Sequence, residues 1–145
     1  MALDKALEIS VSAIKSERER MEIISSNIAN VNTTRSIDGG PYKRKIAVLE
    51  ENPLTFNEEL TFAEKRLDKR SGGVRVSDIV DDKTPLQKVY NPSHPDADKD
   101  GFVEMPNVNL AKEMVDMVEA SRMFEANVTA YNIGKKMVQD TLQIQ

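Results

Sequence analysis

Cysteine and tryptophan are both missing from the 145 residues. Without cysteine there can be no disulfide and no thiolate metal site. Aromatics make up 5% of the chain and charged residues 30%, which argues against a large globular core. No apolar run approaches the roughly 18 residues of a membrane span, so no membrane span is expected. The N-terminus lacks a basic region followed by an apolar stretch, so any export would have to read no cleaved signal peptide. Net charge is -4 with the signs interspersed, which gives no electrostatic reason to expect nucleic acid or an anionic membrane as partner.

What is present is periodicity at the two ends. From Asn109 to Gln145 there is no proline and one glycine, Gly134. Leu110, Met114, Met117, Ser121, Phe124, Val128, Tyr131, Lys135, Val138 and Leu142 recur at alternating spacings of four and three, which keeps one stripe of a helix facing a partner. Asn109 is placed to cap the first turn, and Glu113 puts negative charge near the positive end of the dipole. The flanking residues Ala120, Met123, Ala130, Gly134, Met137 and Ile144 widen the apolar face beyond what one partner helix covers. The N-terminal end shows the same spacing at Leu3, Leu7, Ser10, Ile14, Glu17, Met21, Ile24, Ile28 and Val31, which predicts a first helix ending near Val31.

These ends predict a mainly α protein. Its long N- and C-terminal helices would form an antiparallel coiled-coil hairpin with a small β-rich insert between them. The expected divisions are 1–35, 36–107 with a charged segment at 52–70, and 108–145. Facing residue numbers should sum to about 144 if the helix ends align. In that register Glu17 and Lys135 miss each other, which suggests that one or both meet charges on another subunit. In the insert, Tyr42 to Leu49 reads as a strand. Val74 to Val80 reads as a second, with Leu86 to Tyr90 returning beside it as a hairpin partner. Residues Phe102 to Met105 add a short extended piece, and Asn52 to Arg70 reads as a marginal helix or a loop.

Little in the chain points to chemistry. Asp96-Ala97-Asp98-Lys99-Asp100-Gly101 copies the first half of a calcium-binding EF-hand loop. The twelfth position is Asn107, however, where the motif needs a glutamate, so a tight acidic turn is the better reading. His94 is the only histidine, which excludes a two-histidine metal site within one chain. No glycine-rich phosphate loop is present. No metal, cofactor or catalytic residue is assigned, and an enzyme is not expected.

Ser26-Asn27-Ile28-Ala29-Asn30-Val31-Asn32-Thr33-Thr34 resembles the N-terminal signature of flagellar axial proteins. Glu113-Met114-Val115, followed by Arg122-Met123-Phe124-Glu125-Ala126-Asn127, resembles their C-terminal one. In the middle, Asp38-Gly39-Gly40-Pro41-Tyr42, Val89-Tyr90-Asn91-Pro92, Gly101-Phe102-Val103 and Pro106-Asn107-Val108 are similar to the proximal-rod proteins of the bacterial flagellar basal body. The resemblance implies a structural subunit exported by the flagellar type III apparatus without a cleaved signal. It would assemble in the periplasm, with copies of itself and other rod proteins, into the drive shaft. The interface is expected at Leu7, Ile14, Met21, Ile24 and Ile28 facing Met114, Met117, Phe124, Val128 and Val138. Met123, Ala130 and Met137 should matter more for assembly than for folding. The alternative weighed is a cytoplasmic helical adaptor or export chaperone.

Overall fold

The computed structural model describes residues 2–36, 39–52 and 72–143; the expectation for Asn52 to Arg70 falls, beyond its first residue, outside the described residues. In chain order the elements are α1 (Ala2–Ala29), β1 (Lys45–Glu51), β2 (Val74–Asp81), β3 (Gln87–Tyr90), β4 (Phe102–Met105) and α2 (Leu110–Gln143). Helix α2 begins where its cap predicts. Asn109 Oδ1 accepts the Lys112 amide at 3.2 Å, while the Asn109 carbonyl takes the first helical bond from Glu113 at 3.0 Å.

The two helices pack antiparallel. Asn27 meets Glu113, Arg20 meets Glu119, and Leu7 lies against Gly134. Those pairs sum to about 140 rather than about 144, an offset of about four residues or ~6 Å, so the last residues of α2 overhang the start of α1. Gly134 lets the helices close up there, since a Cβ at that position would sit 2.8 Å from Leu7 Cδ2. Helix α1 also packs on β1 and β2, whereas α2 packs on α1 alone among the described elements.

The expected coiled-coil hairpin is corrected by this arrangement. Four strands form two separate antiparallel two-stranded sheets, and α1 is wedged between one of them and α2. Among the described residues, the buried positions along the helix pair are mostly small or polar, namely Ser16, Asn27, Glu113 and Ala120, with Ile24 the one large apolar exception. A coiled-coil seam instead needs branched apolar residues at its repeating positions.

The strand pairing differs as well. Strand β2 pairs with β1, from Lys45 opposite Asp81 to Glu51 opposite Val74, with an irregularity after Val48. Strand β3 pairs with β4, Gln87 opposite Met105 and Tyr90 opposite Phe102. The link between β2 and β3 is not a hairpin turn, because Asn107 Nδ2 holds the carbonyls of Asp82 and Thr84 at 3.2 and 3.1 Å, and Pro85 restricts Thr84 to extended backbone. The β3–β4 pair is closed by Tyr90 and Phe102, whose rings meet edge-on at 5.4 Å.

Gly73 shows how tightly the first sheet sits on α1. Its φ is +102°, and a Cβ there would fall 2.1 Å from Ser12 Oγ, the atom that also accepts the Val74 amide. Gly40 has φ +84° with open space around it. Gly40→Ala should therefore cost about 1 kcal/mol for its left-handed backbone alone, and Gly73→Ala at least about twice that, because Ser12 and α1 must also give way. Urea unfolding of the two variants checks the order.

Candidate functional site

The residue around which the chain closes is Glu113, in the first turn of α2 and 0% exposed. A carboxylate taken out of water needs strong donors, and two elements supply them. Arg44, just before β1, donates Nε–H to Glu113 Oε1 at 2.6 Å. Asn27, near the end of α1, donates Nδ2–H to Oε2 at 3.0 Å. The same Asn27 nitrogen reaches the Lys45 carbonyl at 2.9 Å. Asn27 Oδ1 accepts the Lys45 amide and the Tyr42 hydroxyl, each at 2.9 Å.

Arg44 is shared among three carboxylates. Nη1 lies 3.4 Å from Asp82 and Nη2 lies 3.3 Å from Asp116, in addition to the Glu113 bond. Burial by itself works against the charge of its guanidinium. The hydrogen bond and charge of Glu113, joined by those of Asp82, nevertheless raise its pKa above the ordinary arginine value. Asn107 completes the cluster, its Oδ1 accepting the Arg44 amide at 2.8 Å. Among the described residues the buried apolar side chains are Ile24, Tyr42, Val103, Val108 and Ala120, of which Tyr42 is bonded to the hub through Asn27.

Of the signature residues, Asn27, Asn107 and Glu113 are thus members of one bonded unit. Ser26 faces Tyr42 hydroxyl to hydroxyl at 3.4 Å, and Asn30 binds back to the Ser26 carbonyl. Pro106 and Val108 are buried, and Ile28 and Asn127 are half-buried. Ala29, Arg122, Glu125 and Ala126 are exposed. Of the expected interface residues, Ile24 is buried, while Leu7, Ile14, Met21, Met117, Phe124, Val128 and Val138 are half-buried. Met114 is 53% exposed, because the inward position in that turn belongs to Glu113. Met123 and Met137 are 50% and 53% exposed, and Ala130 is exposed.

Arg44 and Asp82 were absent from the residues marked by sequence. A basic residue at a strand entrance looks solvated until its partners from distant segments are known. Glu17 Oε2 lies 3.6 Å from Arg20 Nη1 of its own helix, yet that oxygen is buried without a hydrogen-bond partner among the described residues, while Lys135 is exposed. Asp96, at the head of the EF-hand-like string, spends its carboxylate on Thr34 and Arg35, which ties the acidic turn to the residues after α1. Among the described residues no cluster suited to a metal ion is found.

Two hydrogen-bonded carboxylates give the molecule an acid limit. The Thr84 backbone amide, with the Thr84 side chain and Arg44, holds Asp82 below the usual carboxylate range; Thr34, with Arg35 and His94, does the same for Asp96. A depressed folded pKa means that the stabilisation is present above the unfolded value of about 3.9 and is lost as pH falls through the folded one. Asp82→Asn should lower the urea midpoint at neutral pH and flatten its fall between about pH 5 and pH 2. Glu113→Ala, which removes the shortest of the three carboxylate contacts of Arg44 and one acceptor of Asn27, should destabilise by about 2 kcal/mol or more in the same assay.

Comparison with known proteins gives a consistent picture. Residues 7–35 match the family described as "Flagella basal body rod protein", and residues 99–144 match "Flagellar basal body rod FlgEFG protein C-terminal". The chain is 43% identical to the flagellar basal-body rod protein FlgC of Borreliella burgdorferi, covering 99% of this chain and 98% of that one. It is 41% identical to FlgC of Bacillus subtilis, over 96% and 95% of the two chains. With FlgC of Salmonella typhimurium the identity is 33%, over 99% and 98%.

Proposed function

Since the chain belongs to the FlgC family of flagellar basal-body rod proteins, we propose that it builds the proximal rod by docking the outward face of α2 on neighbouring subunits. A structural role in the flagellar rod, beside other rod components, follows from that membership, and the family is not one of enzymes. The finer reading is that the chain is exported by the flagellar type III apparatus without a cleaved signal peptide. It then assembles in the periplasmic part of the drive shaft, with copies of itself and other rod proteins. The rival reading, a cytoplasmic adaptor or export chaperone, has no comparable support.

The observation that carries the docking reading is the one-sidedness of α2. It packs on α1 alone among the described elements, yet its outer side shows Met123, Ile133 and Met137 exposed. With Ala126 and Ala130, also exposed, these residues recur at alternating three and four positions and so line one side of the helix. Leu7, Ile14, Met21, Ile24 and Ile28 are drawn toward the body of the chain, which leaves the outer stripe for neighbours. A monomer rarely presents a row of this kind to water unless a partner covers it. Contacts between unlike faces of successive copies do not close and therefore propagate a filament.

Met123→Lys combined with Met137→Lys should leave the fold and export intact while stopping rod growth. Secreted chain in the medium and basal bodies isolated from the variant strain provide the two readouts. Normal motility in the double variant would refute the docking stripe.

A further inference from the structure

We propose that Met123 and Met137 are oxidation sites through which a hydroperoxide prevents a free subunit from docking. Among the described residues methionine divides into two sets. Met21, Met105 and Met117 are half-buried, whereas Met114, Met123 and Met137 are each half or more exposed, and all three lie on α2. With no cysteine in the chain, methionine is its only sulfur, so no thiol competes for the oxidant.

The chemistry balances within two reactants. The thioether sulfur attacks one peroxide oxygen, an S–O bond forms as the O–O bond breaks, and the sulfur loses two electrons while the peroxide is reduced to water or alcohol. The product sulfoxide is a polar acceptor in place of a soft apolar group. Met123 and Met137 lie on the same side of α2, in the stripe that must lose water on docking. A sulfoxide there is desolvated without a donor, which opposes the contact. Met114, nine residues before Met123, lies about half a turn round the helix and so serves as an internal control.

The blocking effect rests on the docking stripe proposed above; the order of oxidation does not. The test begins with purified full-length chain in hydrogen peroxide, followed by peptide masses over time. Met114, Met123 and Met137 should each gain one oxygen about fivefold sooner than Met21 and Met117. Equal rates would overturn the assignment of the sites. In cells, Met123→Gln with Met137→Gln copies the polarity of the sulfoxide and should cut incorporation into the rod at least about tenfold. Chain carrying Met123→Leu with Met137→Leu should incorporate to the same extent with and without prior peroxide, and Met114→Gln alone should reduce incorporation far less than the double glutamine variant. Entry of the double glutamine variant while the lysine variant is excluded would sink this inference alone. Entry of both would sink the docking stripe as well.

Discussion

The carboxylate of Glu113 sits out of contact with water between an arginine from the approach to β1 and an asparagine from α1. An isolated charge in that position would be strongly destabilising, so the helix pair is tolerable only when Arg44 and Asn27 are both in place. Arg44 in turn is placed by Asn107 and by Asp82, and Asn27 by the backbone of Lys45. Residues from α1, from the approach to β1, from the segment after β2 and from the start of α2 therefore converge on one set of bonds. Among the described residues the large apolar side chains that are buried are few, so this network supplies much of the specificity that a greasy interior provides elsewhere.

From that hub follows the unequal treatment of the two helices. Helix α1 carries Asn27 and Ser12 on sides that face the first sheet, and it gives its remaining inward side to α2. Helix α2 is anchored at its first turn and then runs along α1 with nothing on its far side among the described elements. The exposed methionines and Ile133 are a consequence of that geometry, and a rod subunit has a use for it. A wall built of repeated copies needs one face that holds the molecule together and another that its neighbours can cover.

Much of the local structure was legible in the residues. The helices, the capping role of Asn109 and the position of β2 all rest on spacing and short-range hydrogen bonding. The missed features were those in which chemistry overrode periodicity. Counting apolar residues placed Met114 on the inner stripe, but its neighbour Glu113 is the buried one, because Arg44 and Asn27 make a charge the better fit. Asn27 and Asn107 were marked by resemblance without a physical role, and Glu113 was given only that of a charge near the helix dipole. A polar residue standing in phase with Met117 and Ala120 was the signal that could have exposed Glu113.

The sequence by itself determined where the helices run, that their apolar surface exceeds what one partner hides, and that no disulfide chemistry supports them. Those properties depend on residues within a turn or two of each other. Which strands pair, which side of α2 turns inward and which charges are buried were decided only by the tertiary structure. The bond from Asn27 to Glu113 joins residues 86 positions apart, and neither side chain is more than an ordinary surface group until folding brings the other, with Arg44, within reach.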